Sequence, residues 1–184
     1  MKIKVGISNR HIHLTKEDYI KLFNEEELNI KKELYQEGYF AADKTVTIKT
    51  QKNTLENVRV MGPFRTYTQV EISKTDSYKL GINPPVRNSG DLKGAETVTI
   101  IGEKGELTIP CCIIPTRHIH ITKEDHIKLF NEKENCAIKI SNQKTTILDD
   151  IKFKIAPKSK IELHLDTDDA NAALLTQGED VEMM

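Results

Sequence analysis

Two pairs of histidines have the residue type and spacing needed to hold metal ions. His11 and His13 stand two residues apart, and His118 and His120 repeat that spacing 107 residues later. In an extended strand, side chains at positions i and i+2 point to the same face. Each pair can therefore meet one ion, because imidazole is a common ligand for zinc, copper and iron.

The two pairs belong to a duplicated phrase of sixteen residues. RHIHLTKEDYIKLFNE begins at Arg10 and RHIHITKEDHIKLFNE at Arg117, and the copies agree at fourteen positions. Either a half-domain was duplicated, or two equivalent structural positions require the same residues. A lone His-x-His could be a solvent-exposed or core pair, whereas two copies in duplicated context favour a metal site.

Two residues elsewhere can complete the ligand sets. Glu71 lies in the predicted strand TQVEIS, and His164 lies in IELHLDTDDANAA. A catalytic zinc ion typically needs about three protein ligands. Histidines with a carboxylate favour zinc over magnesium or calcium, which prefer shells of oxygen atoms.

Arg65 is the leading candidate for binding an oxyanion. It lies six residues before Glu71 in GPFRTYTQVEIS. If Glu71 reaches a metal ion, the Arg65 guanidinium lies near the same cleft and can hold an oxyanion through two hydrogen bonds. The alternative for any single arginine is a solvated surface charge.

The three cysteines, Cys111, Cys112 and Cys136, form no zinc-ribbon or redox spacing, and their odd number argues against a disulfide framework. Cys111 and Cys112 are neighbours in a predicted strand and point to opposite faces, so they cannot both face one site. One of them could act as a thiolate nucleophile. The simpler interpretation is that each is a small buried apolar residue.

The predicted local structure puts each histidine pair at a strand end, just before a helix. KIKVGIS (2–8) and LTIPCCIIP (107–115) precede the motifs and have strand patterns. Thr-Lys-Glu-Asp follows each motif and resembles a capping box, which predicts a short amphipathic helix. Because His126 aligns with Tyr19 of the other copy, we expect His126 on the helix surface.

Short strands and turns account for most of the remaining chain. Further strands are predicted at 45–50, 56–62, 68–73, 96–102, 137–141, 153–156 and 161–166. This pattern predicts a mainly β fold with short α-helices, in two related β-barrel modules that face each other. The modules are expected at 1–110 and 111–184, each with one RHIH motif, and terminal strands can be exchanged between them.

Composition restricts the partners. Charged residues make up 30% of the 184 residues, yet the net charge is −1. We therefore expect small-molecule substrates and no binding to nucleic acid or a membrane, because there is no global basic field. No apolar run approaches the roughly 20 residues of a membrane span, and MKIKVGISNR has no signal-peptide core. The expected location is the cytoplasm.

Several motifs together resemble one family. The two RHIH motifs, GPFRTYTQVEIS, LGINPPVRNSGDLKGA and LHLDTDDANAA are similar in order and spacing to phosphate acyltransferases of the PduL type, also called phosphotransacylases. The resemblance runs from about Val5 to Ala173. It implies two β-barrels capped by short helices, a dinuclear zinc site between them, and reversible transfer of an acyl group between coenzyme A and inorganic phosphate.

The resemblance also implies roles for individual residues. Six residues would hold two zinc ions, three for each ion: His11, His13 and Glu71, then His118, His120 and His164. Arg65 would contact phosphate and is the predicted catalytic residue. Four residues fall where the family contacts coenzyme A: Ser8, Asn9, Arg59 and Asn171.

Two alternatives from other functional classes stay open. A dinuclear zinc hydrolase of thioesters or phosphoesters would use the same ligands to activate water. A non-enzymatic metal-binding β-barrel module would have the ligands without an oxyanion-binding arginine.

For the transferase we expect direct attack by phosphate with no acylated cysteine, acetyl and propanoyl substrates both being open, and a homodimer. A microcompartment shell is not an expected partner, because the first predicted strand begins almost at Met1.

Overall fold

The computed structural model describes residues 1–183, which fold mainly into β-strands with four short helices. In chain order the elements are β1 (Lys2–Ser8), β2 (His11–His13), α1 (Lys16–Phe23), β3 (Ile30–Glu33), β4 (Phe40–Lys49), β5 (Thr54–Gly62), β6 (Gln69–Glu71), α2 (Lys74–Leu80), β7 (Val86–Arg87), β8 (Glu96–Ile101), β9 (Glu106–Pro115), β10 (His118–Ile121), α3 (Lys123–Phe130), β11 (Asn135–Ile140), β12 (Thr146–Ile155), β13 (Glu162–Asp166), α4 (Thr167–Ala172) and β14 (Asp180–Met183). No helix among these is long and apolar enough to cross a membrane.

Contacts divide the chain into two compact units. The first unit is Arg10–Pro115, and the second unit combines Met1–Asn9 with the chain from Thr116 onward. The chain thus passes from one unit to the other directly before each duplicated motif. Met184, the last residue of the predicted second module, lies outside the described residues.

The strands of the second unit close into a six-stranded barrel. Their order is β1-β13-β10-β12-β11-β14, and β14 pairs back onto β1. Two of the pairs are parallel, β1 with β13 and β10 with β12, and the other four are antiparallel.

Six strands of the first unit close in the same way. The ring runs β9-β6-β2-β5-β4-β8, and β8 pairs back onto β9. It repeats the other ring pair by pair, with β6–β9 and β2–β5 parallel; β3 and β7 are added outside it. The predicted mainly β fold with two related barrels is confirmed.

Each barrel has its own apolar core, and the duplicated motif contributes to both. The central residue of each His-x-His, Ile12 or Ile119, is fully buried in the core of its unit. Burying such a side chain stabilises the fold by about 1.5–3 kcal/mol. Since neighbouring side chains in a strand point to opposite faces, this burial turns the flanking histidines away from the core.

The helix that follows each motif starts after the predicted threonine and ends at an asparagine. Thr15 and Thr122 cap the N-termini of α1 and α3, each accepting a hydrogen bond at 3.1 Å from the backbone N–H three residues later. Both helices end at an asparagine with positive φ, Asn24 or Asn131, a conformation that asparagine tolerates well. The predicted threonine N-caps are confirmed in both copies, whereas the Thr15 backbone N–H donates to Thr68 Oγ1 at 3.2 Å in place of the return bond of a capping box.

The prediction that His126 lies on the helix surface is wrong. Its side chain is buried and stacks against Phe130 and Phe153, with ring centroids 6.1 and 4.4 Å away. Its Nε2 lies 2.9 Å from the backbone oxygen of Lys133. Tyr19, the aligned residue, is also buried, so this position contributes a large ring to the core side of the helix in both copies.

Candidate metal centres

Strand pairing supplies a third potential ligand to each histidine pair. In the first unit β2 pairs antiparallel with β6, which sets His11 opposite Glu71. In the second unit β10 pairs antiparallel with β13, which sets His118 opposite His164. Directly opposed residues lie on one face with Cβ atoms about 4.5–5.5 Å apart. The same register position therefore holds a carboxylate in one unit and an imidazole in the other.

The first triad consists of His11, His13 and Glu71. His11 Nε2 lies 3.4 Å from Glu71 Oε2, and His13 Nε2 lies 3.9 Å from Glu71 Oε1. The three side chains are at most 12% exposed. Ligand atoms about 2.1 Å from a tetrahedral zinc ion lie about 3.4 Å from one another, so these distances fit such an ion.

The second triad consists of His118, His120 and His164. His118 Nε2 lies 3.2 Å from His120 Nε2, and the three ring centroids are 4.4 to 5.1 Å apart. His118 Nδ1 lies 3.0 Å from the Thr116 carbonyl oxygen, which accepts the Nδ1 proton and leaves Nε2 able to bind a metal. One ligand atom from each histidine lies within 4.8 Å of the others.

The donor sets of both triads are those of catalytic zinc sites. Two histidines with one glutamate, and three histidines, are sets that hold zinc while leaving a coordination position for solvent or substrate. The sequence predicted all six residues as ligands, and the structure groups them as the predicted two sets of three.

Arg65 is linked to the first triad through Ser89. The Arg65 Nη1 group donates to Ser89 Oγ at 2.7 Å and to the Tyr67 hydroxyl at 2.9 Å. Ser89 Oγ in turn donates to Glu71 Oε1 at 3.3 Å. The half-buried Arg65 guanidinium and the Glu71 carboxylate thus belong to one hydrogen-bond network. This network holds a cationic group with several N–H donors near the candidate metal ligands.

Sequence reasoning missed two partners of Glu71. The Gln69 side chain donates to Glu71 Oε1 at 2.5 Å and accepts from the Gly90 backbone N–H at 2.8 Å. Its position two residues before Glu71 on one strand is a signal that could have been used. Ser89 lies in the turn after β7, where the sequence carries no such periodic signal.

The arginines that open the two motifs bind helices of their own units. Arg10 pairs with Asp76 at 2.9 Å, and Arg117 forms two hydrogen bonds with Asp169 at 2.7 and 2.8 Å. Hydrogen bonding to Asp169 raises the pKa of Arg117. Each aspartate stands five residues after the third ligand of its triad. The pairs therefore tie each histidine strand to the helix that follows the third-ligand strand.

The four predicted coenzyme A contacts fall in both units. Arg59 lies opposite His11 on β5 of the first unit, and its Nη1 donates to the backbone oxygens of Ala42 and Asp43 at 3.1 and 2.9 Å. The other three belong to the second unit: Ser8 ends β1, Asn9 follows it, and Asn171 is exposed on α4.

The cysteines lie in environments that disfavour thiolates. Cys111 and Cys112 are fully buried in the core of the first unit, as the simpler interpretation predicted. Burial raises the pKa of Cys111 to about 12 and raises the pKa of Cys112 as well. Half-buried Cys136 packs against the second core, and desolvation raises its pKa to about 11.

Sequence comparison finds relatives along almost the whole chain. The profile of the phosphate propanoyltransferase family matches residues 4–176. Proteins named phosphate propanoyltransferase from Thermotoga maritima and Shewanella putrefaciens are 46% and 43% identical over 182 and 183 residues, which is 96% and 97% of this chain and 86% of each relative. One from Salmonella typhimurium is 41% identical over 175 residues, covering 93% of this chain and 83% of that relative.

Proposed function

Because the chain belongs to the phosphate propanoyltransferase family, we propose that it transfers a short-chain acyl group reversibly between coenzyme A and inorganic phosphate. Acyl-CoA and phosphate would give acyl phosphate and free coenzyme A. The structural observation that carries the proposal is the hydrogen-bonded chain from Arg65 through Ser89 to Glu71. It joins a group suited to an oxyanion with a set of metal ligands, as this reaction requires.

Each triad in the proposal holds one zinc ion, so that a chain carries two. Bound zinc supplies a Lewis acid that polarises the thioester carbonyl and a soft partner for the thiolate leaving group. The ligands of the first ion are two imidazoles and a carboxylate, and those of the second are three imidazoles. Support for two ions per chain comes from the duplicated motif, since both copies keep the complete His-x-His.

Arg65 is the proposed phosphate-binding and catalytic residue. Its guanidinium carries five N–H donors in a planar fork that matches two oxygens of a phosphate. The bonds from Nη1 to Ser89 and Tyr67 restrict the rotation of this long side chain. A preorganised cation lowers the cost of orienting phosphate and stabilises the charge that develops during attack.

The proposed chemical step is direct attack by phosphate. A phosphate oxygen forms a bond to the thioester carbonyl carbon, the carbon–sulfur bond breaks, and the electron pair leaves with the coenzyme A sulfur. A ping-pong route through a cysteine would need a thiolate as acyl carrier. The raised pKa values of all three thiols keep them protonated at neutral pH, which supports the direct route. The residues proposed to contact coenzyme A are Ser8, Asn9, Arg59 and Asn171.

Replacing Cys111, Cys112 and Cys136 together by alanine should leave phosphate-dependent turnover within about threefold of the parent enzyme. The reason is that no thiol takes part in the direct route. Steady-state rates, normalised to folded protein, measure this. Loss of turnover in a folded variant, together with an acylated cysteine in the mass spectrum of the parent, would contradict direct attack.

Chelator-stripped protein should bind two zinc ions per chain in a calorimetric titration and regain turnover as they bind. His13→Ala should remove one binding event and His120→Ala the other, because each deletes a ligand from a different triad. His126→Tyr is the matched control: it replaces a histidine outside both triads by the residue of the other repeat, and should keep two ions. Turnover that survives complete removal of metal would refute the zinc proposal.

Release of coenzyme A from propanoyl-CoA should require inorganic phosphate. Arg65→Lys keeps the charge but loses the fork, so kcat/KM for phosphate should fall about 10²-fold. Arg87→Lys is the control, because Arg87 donates to the nearby Val86 and Lys93 backbone oxygens and should tolerate the change. Equal release with and without phosphate would instead identify a thioester hydrolase.

A further inference from the structure

A second carboxylate lies beside the triad of the second unit. Glu162 is only 4% exposed, and its Oε2 lies 2.8 Å from His164 Nε2. Burying a charged carboxylate is costly unless it is paired, and glutamate is rarely this buried. The three histidines form a group with metal-binding spacing that does not include Glu162. Its carboxylate therefore meets a candidate ligand from outside the ligand set.

The equivalent position in the first unit holds a neutral residue. Glu162 stands opposite His120 on the neighbouring strand, and Gln69 stands opposite His13 in the same register. In the first unit the third ligand is a carboxylate and its neighbour on the strand is an amide. In the second unit the third ligand is an imidazole and its neighbour is a carboxylate. Each candidate site thus has one carboxylate: a ligand of the triad in the first unit, and a residue beside the triad in the second unit.

The chemistry of a histidine ligand explains why the carboxylate is needed there. A carboxylate that accepts a hydrogen bond from Nε2–H fixes the tautomer of His164 and leaves Nδ1 unprotonated, the form that binds a metal. Its charge also offsets part of the ion's charge, which three neutral histidines do not. We infer that Glu162 is a positioning residue for the ion of the second triad, an inference that rests on the proposed zinc sites.

Gly6 gives independent support, because the space that Glu162 occupies depends on it. Gly6 lies opposite His164 on β1. A Cβ atom at this position would come within 2.8 Å of Glu162 Oε1 and 3.0 Å of His164 Cδ2. Since the carboxylate is the mobile end of its side chain, Gly6→Ala should displace Glu162 without disrupting the barrel. The absence of a side chain at Gly6 therefore leaves room for the carboxylate–imidazole pair.

The test measures metal binding with cobalt(II), whose visible absorption reports on its ligands. In a His11→Ala, His13→Ala background the second triad is the remaining proposed site. Glu162→Gln introduces the residue type that the first unit has at this position, Gln69. It should weaken cobalt binding 10- to 100-fold, the usual loss when a carboxylate partner of a histidine ligand is removed. Gly6→Ala should weaken binding in the same direction and shift the absorption band similarly.

Glu182→Gln, which neutralises an exposed glutamate of the same unit, is the control and should leave affinity and spectrum unchanged. Circular dichroism checks that every variant is folded. If the background protein binds one cobalt ion and Glu162→Gln binds it with the same affinity and spectrum, Glu162 has no positioning role, whereas the zinc proposal survives. If the background protein binds no cobalt, the proposed second zinc site fails, and this inference fails with it.

Discussion

Register between two strands is the constraint on which each candidate site depends. A three- or four-residue strand carries the histidine pair, and its antiparallel neighbour carries the third ligand at the directly opposed position. A slip of one residue would turn that ligand to the other face of the sheet. Burial of Ile12 and Ile119 fixes which face the histidines occupy. Barrel packing therefore sets the geometry of groups that do not belong to the barrel cores.

The two barrels use one plan with different residues at corresponding positions. Strand order, the parallel pairs, the capped helix and the arginine–aspartate pair recur in both units. Within residues 1–183, the third ligand and its neighbour on the strand differ between the units. The hydrogen bonds that link Arg65 to Glu71 through Ser89 belong to the first unit. Duplication thus accounts for two candidate metal sites, while divergence at a few positions gives each site its own charge distribution.

Alternation of apolar residues and helix-capping motifs predicted the elements whose formation depends on neighbouring residues in the sequence. Strand β1 has the predicted bounds, 2–8, and both helices follow their capping threonines. Strand β3 was missed because all four of its residues are exposed and show no alternation, and β7 because it has only two residues. His126 was misassigned because burial against Phe153 is a contact between elements distant in sequence.

The candidate sites could be predicted only in part. A spacing of two within a strand reveals His11 with His13, and a repeat reveals the second pair. Glu162 and His164 are also two residues apart. The sequence does not reveal that the Glu162 carboxylate is buried, because its burial depends on how the barrel strands pack. Ser89 contacts Glu71 because the turn after β7 brings it there, and no short-range sequence pattern predicts that contact.

Anomalous diffraction at the zinc absorption edge, from crystals of the protein loaded with zinc, would show where the ions bind. We expect two peaks per chain, one bound by His11, His13 and Glu71 and one by His118, His120 and His164. Peaks at other residues, or triads without anomalous density in zinc-loaded crystals, would contradict this expectation.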